Sequence, residues 1–144
     1  MQRKMTWLAG FVLLFALQAV AQEHYTEGPV WRITIVKVKP AQFDAYITTL
    51  RQGTKPLLEE EKRQGIILDY KVFLKETTES THDWDIALAV QYKNHAAMDG
   101  LTAKGEAVRD KIMGGKQQAE QLGQKRVEMR EIISSQLLQE ITLK

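Results

Sequence analysis

The sequence contains no cysteine, and this absence excludes several kinds of chemistry at once. A chain without thiols forms no disulfide, has no thiolate metal ligand and no cysteine nucleophile, and carries no lipid-modified N-terminal cysteine. Histidine is also scarce, with three residues, and no His/Glu cluster has the spacing of a metal site. Phosphate-binding glycine loops and nucleophile elbows are absent as well. We therefore expect neither a metal nor a cofactor.

Excess charge of one sign is missing too. The formal net charge is +2, but residues 1–21 carry two of the 20 basic residues and none of the 18 acidic ones. The rest of the chain is therefore electrically neutral. No strip of basic residues interleaved with aromatic ones is present, so the sequence gives no support to nucleic-acid binding.

Long hydrophobic runs are absent except near the N-terminus. There, Arg3 and Lys4 precede an apolar run over residues 7–17 that ends in Ala19-Val20-Ala21. This pattern predicts a secretory signal peptide (residues 1–21) cleaved after Ala21. A membrane anchor is the alternative, but the run is shorter than the roughly 20 residues needed to span a bilayer. We expect a secreted or periplasmic protein that leaves the membrane after cleavage.

Residues 83–100 change their hydrophobic period from 2 to 3.6, which indicates a strand leading directly into a helix. The apolar positions of the strand are Trp84, Ile86, Leu88, Val90 and Tyr92. Asn94 follows as a predicted N-cap, and the apolar residues after it recur at helical spacing up to Gly114-Gly115.

The same analysis predicts the other elements. Residues 22–29 are polar, end in Gly-Pro and are expected to be a mobile N-terminal segment, with one domain over residues 30–144. Strands are predicted at 30–39, 66–75 and 136–144, and helices at 40–64 and 116–133. Pro56 lies inside the first helix and should bend it near Gln52, with a full break as the alternative. Residues 59–63 read as a solvated charged face, and Gly65 should cap the helix.

This order predicts an α+β fold, the ferredoxin-like split βαβ with a four-stranded antiparallel sheet and helices on one face. We expect Trp31, Ile33 and Ile35 to pack beneath the helices. Arg32, Thr34 and Val36 should then lie on the open face, with Asp69, Lys71 and Asp85. That face is too apolar in places to remain solvated, so a homodimer should cover it with a second, identical sheet.

Three segments resemble the dimeric α/β-barrel superfamily, which includes the antibiotic-biosynthesis-monooxygenase, NIPSNAP and stress-responsive barrel families. They are VWRITIVKVKP (residues 30–40), KPLLEEEKRQG (residues 55–65) and the stretch over residues 83–100. The chain is most similar to an exported, uncharacterised bacterial subgroup. The resemblance implies a dimeric α/β barrel but no particular activity. Haem-degrading members use an Asn/Trp/His set; Trp84, Asn94 and His95 are of these types but share one segment, so no catalytic residue is carried over.

The candidate ligand-binding residues are Arg32, Asp69, Asp85, Trp84 and His95. Charges beside Ala87 and Ala89 suggest a cavity on the open face, in which Arg32 would pair with an anionic group and an aspartate would accept hydrogen bonds. The alternative is a layer of ion pairs at the dimer interface. Trp84 can equally be a core aromatic residue, and His95 can be a surface residue at a helix start.

His82, beside two aspartates, suggests either a loosely bound divalent metal or a solvated loop, and we expect the loop. Taken together, the sequence predicts an exported homodimeric barrel protein that binds a small molecule or has a structural role. A cofactor-independent monooxygenase is the alternative, and a haem-binding protein the third possibility. A monooxygenase would need His95, Asp69 or Asp85 as a base inside an enclosed pocket.

Overall fold

The computed structural model describes residues 24–144, so the predicted signal peptide lies outside the described residues. The strands are β1 (Tyr25–Val38), β2 (Asp69–Leu74), β3 (Ile86–Tyr92) and β4 (Arg130–Leu143). The helices are α1 (Phe43–Thr49), α2 (Lys55–Arg63), α3 (Leu101–Met113) and α4 (Lys116–Met129). A π-helical segment (Leu50–Thr54) joins α1 to α2, and a 3₁₀ turn (Ala96–Met98) precedes α3.

The four strands form one antiparallel sheet in the order β2-β3-β1-β4. The apolar core lies between this sheet and the helices, in two clusters. Val36, Val38 and Ile86 pack against Tyr46 and Leu50 of the first helical region, and Val90 and Tyr92 pack against Leu58 of α2 and Ile67. The predicted α+β class, with helices on one sheet face, is confirmed.

The outer strands are longer than predicted. β1 begins at Tyr25, not at residue 30, because Tyr25, Thr26 and Glu27 pair with the far end of β4. Most of the segment predicted as a mobile lead-in is therefore strand. β4 begins at Arg130, so Ile132 and Ile133 belong to the strand and not to the preceding helix. The β1–β4 pairing contains irregularities after Glu27 and Ile35, and such bulges absorb one residue of register.

The first helical region is irregular next to Pro56, as the sequence predicts. Ala41 has a left-handed backbone (φ 61°), so the helix starts at Phe43 and not at Pro40. Pro56 has no N–H to donate to the carbonyl of Gln52, and the chain continues through a π turn in which the Lys55 N–H bonds the Leu50 carbonyl. The helical path is thus neither regular nor broken. Gly65 (φ 71°) ends α2 as predicted.

The second helix starts later than predicted. Asn94 caps a turn as expected, since its Oδ1 accepts the Ala97 N–H at 2.9 Å, but this turn is the 3₁₀ segment. Gly100, with a left-handed φ of 68°, then reorients the chain before α3. The third predicted strand is shortened in the same way to Ile86–Tyr92, and the second to Asp69–Leu74.

The predicted orientation of β1 is wrong. Val36 pairs with Ile86 and Arg32 with Val90, both core positions of β3, so Val30, Arg32, Thr34 and Val36 face the helices. Trp31, Ile33 and Ile35 consequently lie on the open face. Both sets are apolar enough to be buried, and a one-residue change of register exchanges them. For β2 and β3 the predicted faces are confirmed, with Tyr70 and Leu88 against the core.

Candidate functional site: the open sheet face

The open sheet face has an apolar groove at its centre. Its lining comes from all four strands: Trp31, Ile33, Lys71, Phe73, Ala89, Leu138, Gln139 and Glu140. The strand register explains why these residues lie together. Trp31 of β1 is opposite Leu138 of β4 on one side and Gln91 of β3 on the other, and Lys71 of β2 is opposite Ala89 of β3. The groove has a volume of about 350 Å³. The short side chain of Ala89 leaves this space between larger neighbours.

Large apolar side chains remain exposed beside the groove. Phe73 is 49% exposed and Leu138 is 46% exposed. Burying a side chain of this size contributes about 1.5–3 kcal/mol, so leaving two of them in water is unfavourable unless something covers them.

Polar groups of both signs border the groove. The Glu140 carboxylate accepts a hydrogen bond from the Trp31 indole nitrogen at 2.8 Å and a longer one from the Gln91 amide at 3.5 Å. From the opposite edge, the Lys71 ammonium lies 5.7 Å from the centre of a Trp31 ring. Trp31 therefore stands between a carboxylate and an ammonium group, and the groove can receive an apolar molecule that carries a donor or an acceptor.

The predicted grouping of Arg32 with Asp69, Lys71 and Asp85 is wrong, because Arg32 points to the helix side. Its guanidinium carbon lies 5.4 Å from the Tyr92 ring centre, within the core layer. Glu61 of α2 interacts electrostatically with Arg32 on this side of the sheet. Burial raises the pKa of Glu61, and the charge of Arg32 partly offsets that rise. An anion held by Arg32 could not at the same time contact the open face.

The two aspartates are engaged in pairs of their own. Asp69 lies 2.7 Å from the Lys62 ammonium, and this contact lowers the pKa of Asp69. Asp85 accepts the Val38 N–H at 2.7 Å and lies 3.4 Å from the Lys37 ammonium. Asp85 thus extends the β1–β3 pairing beyond the last register pair, which is a structural role.

Trp84 and His95 lie away from the groove. Trp84 is half-buried in the loop before β3, with the Lys75 ammonium 5.4 Å from its ring centre, and Lys75 is itself paired with Asp83. His95 is exposed at the start of the 3₁₀ turn. His82 is exposed in its loop and is 3.2 Å from the Thr81 hydroxyl. The structure therefore does not bring the five predicted site residues together.

None of the three candidate bases is in an enclosed pocket. His95 is exposed, and Asp69 and Asp85 are held by lysines. Over residues 24–144, no group of three or more His, Cys, Asp or Glu residues could hold a metal ion. Within the same residues, no helix is both long and apolar enough to cross a membrane.

Sequence reasoning missed Trp31 and Glu140 as groove residues. Trp31 was assigned to the core because β1 is apolar on both faces. Glu140 lies within the predicted last strand, but its partner Trp31 is 109 residues away in sequence, so no local pattern indicates the contact. One feature of the sequence could have placed Arg32 on the core side of β1. Val30, Val36 and Val38 lie an even number of residues from Arg32, on the same face of the strand, and the structure buries all three.

A second, smaller cavity of about 210 Å³ lies between the π-helical segment and the edge strand β2. Its walls are almost entirely apolar, and they comprise Ile47, Leu50, Arg51, Thr54, Lys55, Leu58, Tyr70 and Val72. Tyr70 donates a hydrogen bond of 2.6 Å to Glu59; burial, together with this carboxylate, raises the pKa of Tyr70 to about 12. The hydroxyl therefore stays protonated at neutral pH and is not a base.

No protein-family model and no curated protein matches this sequence. Among solved structures, the chain is similar to HapK from Hahella chejuensis, with a TM-score of 0.50 and 12% identity over 77% of this chain and 91% of that one. A dimeric protein of unknown function and ferredoxin-like fold from Bacteroides fragilis has a TM-score of 0.46 and 17% identity over 82% and 100%. A NIPSNAP family protein from Agrobacterium tumefaciens has a TM-score of 0.46 and 12% identity over 78% and 90%.

These identities bear on the fold alone. The predicted ferredoxin-like α+β fold is confirmed at that level: the chain has a four-stranded antiparallel sheet with helices on one face, and HapK is similar to it in fold.

Proposed function

We propose that the protein is a homodimeric small-molecule-binding protein whose two copies pair through the open faces of their sheets. The observation that carries this proposal is the apolar groove on that face, with Phe73 and Leu138 half exposed beside it. A second sheet would remove these side chains from water and would convert two open grooves into one enclosed cavity.

The charges on the face support a self-complementary interface. Lys71 lies on β2 and Glu140 on β4, at opposite edges of the sheet. A two-fold axis parallel to the strands brings β2 of one copy opposite β4 of the other. Each Lys71 then approaches the other copy's Glu140, which is the reciprocal pairing that a two-fold interface requires.

The enclosed cavity would suit a small, mostly apolar molecule. Each face contributes a groove of about 350 Å³, within the range of small-molecule sites, which is roughly 300–1,000 Å³. Trp31 supplies a flat aromatic wall, and Glu140 and Lys71 supply the polar contacts that would orient a ligand. Proton abstraction by Asp69, Asp85 or His95 is disfavoured, because all three lie outside the groove lining.

Export is part of the proposal and is supported by the sequence of residues 1–21 alone. A cleaved signal peptide would place the dimer in the periplasm or outside the cell. N-terminal sequencing of the protein recovered from culture fractions tests this, with Gln22 as the expected first residue.

Sedimentation of the purified protein with matched variants tests the dimer. Leu138→Glu places a charge on the open face, and Leu137→Glu places the same charge on the other face of the same strand, where the exposed fraction is similar at 49%. We expect a wild-type dimer at micromolar concentration, dissociation in Leu138→Glu, and a dimer in Leu137→Glu. A monomeric wild type, or equal dissociation of both variants, would contradict the proposal. Native mass spectrometry of the wild type reports a retained ligand in the same sample.

A further inference from the structure

Two arginines lie close together at the end of α4, remote from the open face. Arg126 is in the last turn of the helix, and Arg130 is the first residue of β4. Both line one surface pocket, together with Gly123, Gln124, Val127 and Glu128. The two guanidinium groups lie near each other, since the charge of Arg130 acts on Arg126 and both charges act on the Tyr46 hydroxyl.

Neither arginine has an ion-pair partner within residues 24–144. Arg126 donates one hydrogen bond, to the Thr54 hydroxyl at 3.1 Å. Arg130 has its guanidinium carbon 5.8 Å from the Tyr46 ring centre, and its Nε is buried with no hydrogen-bond partner. The one carboxylate in the pocket lining, Glu128, forms an ion pair with neither of them.

This arrangement is electrostatically incomplete. Burial, and next the neighbouring Arg130 charge, lower the pKa of Arg126, because both disfavour a second cation at this place. Tyr46 supplies no compensating negative charge, since its own burial raises the pKa of its hydroxyl. Two partly buried cations without an anion are costly, and a bound anion would remove most of that cost.

Apolar surface adjoins the pair. Val127 and Ile132, with Arg130, line a neighbouring cavity of about 240 Å³, and these two side chains are 68% and 53% exposed. A ligand with its charge between the arginines would thus find exposed apolar side chains directly beside that charge.

We propose that this pocket binds a small amphiphilic anion, with a carboxylate or phosphate ester between Arg126 and Arg130 and an alkyl or aryl group on Val127 and Ile132. The planar guanidinium fork matches either head group, because both present paired oxygen acceptors. The Gln124 amide in the same lining offers a further donor.

Calorimetric titration at low salt with octanoate, octyl phosphate and octan-1-ol tests the site on the whole protein. Arg126→Gln removes the charge, and Arg126→Lys keeps the charge but loses the guanidinium fork. Lys125→Gln is the matched control, because Lys125 is an exposed cation on the same helical turn. Circular dichroism melts establish that each variant folds. We expect wild type and Lys125→Gln to bind at least one anion alike, and Arg126→Gln to bind it about tenfold or more weakly. Arg126→Lys should fall between them.

The relative affinity of the two anions identifies the head group. The proposal is overturned by octan-1-ol binding as tightly as the anions, by folded Arg126→Gln binding them as wild type does, or by no anion binding at millimolar concentration. Raising the salt concentration should weaken anion binding, since charge attraction supplies part of the affinity.

Discussion

The Glu140 carboxylate on β4 accepts a 2.8 Å hydrogen bond from the Trp31 indole N–H on β1, so that side chains as well as backbone join the two strands on the open face. Glu140 is two residues beyond Leu138, the register partner of Trp31. This diagonal contact restrains the indole beside the groove, and each half of it can be removed without changing the backbone.

A double-mutant cycle should measure this bond. Trp31→Phe removes the donor and Glu140→Ala removes the acceptor; we expect a coupling of about 1 kcal/mol in the free energy of unfolding, since the bond is partly exposed. Urea unfolding at low protein concentration gives the four values. Trp31→Phe combined with Glu106→Ala, a distant exposed carboxylate, should show no coupling. Equal coupling in both cycles would mean that the indole N–H bond contributes nothing.

Arg32 and Lys71 lie on opposite faces of the sheet, so replacing them should affect self-association differently. Arg32→Ala removes a cation from the Tyr92 ring on the core side and should lower the free energy of unfolding by about 0.5–1 kcal/mol without changing self-association. Lys71→Ala removes the comparable contact with the Trp31 ring on the open face, so it should lower the free energy of unfolding by a similar amount and, in addition, weaken the proposed dimer. Urea unfolding and sedimentation of both variants check this. Dissociation of the dimer by Arg32→Ala but not by Lys71→Ala would place Arg32 on the open face.

The order of the strands and helical regions could be predicted from residue periodicity, but the face of β1 could not. Alternation in β2 and β3 is one-sided: Tyr70 and Leu88 are apolar, whereas Asp69 and Lys71 are charged. In β1 both alternating sets contain large apolar residues, and the choice depends on how β1 pairs with β3. Pairing partners lie far apart in sequence, so no local pattern contains that information.

The prediction for the charged residues at the end of α2 was wrong at Glu60 for a related reason. Residues 59–63 read as a solvated face, yet Glu60 is 9% exposed, because α3 packs against α2 at that position. Lys111 of α3 reaches it at 2.8 Å. A carboxylate buried by a partner more than 50 residues away looks, in sequence, like any surface glutamate.

Two glycines in different backbone conformations should respond oppositely to alanine. Gly100 has φ 68°, a left-handed conformation that costs alanine about 1 kcal/mol, although nothing lies within 4 Å of an added methyl. Gly123 lies inside α4 with equally open space, and alanine there should stabilise the protein by about 0.5–1 kcal/mol. Thermal melts of both variants separate backbone strain from packing. A loss of stability in Gly123→Ala would mean that a methyl group is not tolerated there.

The Glu60 cluster predicts a particular loss of stability in acid. Its carboxylate accepts hydrogen bonds from Arg63 at 2.6 and 2.7 Å, from Lys111 at 2.8 Å and from Gln64 at 2.7 Å. These donors hold the pKa of Glu60 well below its ordinary value of 4.5. A pKa lowered in the folded state means that the unfolded chain binds the proton first. The stabilisation is therefore complete above about pH 4.5 and is lost as the pH falls through the lower folded-state value.

Glu60→Gln should accordingly unfold at a lower urea concentration than wild type at pH 7, and this gap should narrow below pH 4.5, because the unfolded wild-type chain then binds a proton at Glu60. Glu106→Gln is the control, because Glu106 is exposed and has one 3.7 Å contact with Arg109. Its urea midpoint should follow that of wild type at every pH, since its charge has little favourable interaction to lose. A Glu60→Gln gap that is constant down to pH 3 would show that the carboxylate contributes through its shape and neutral hydrogen bonds, and that its charge does not link α2 to α3.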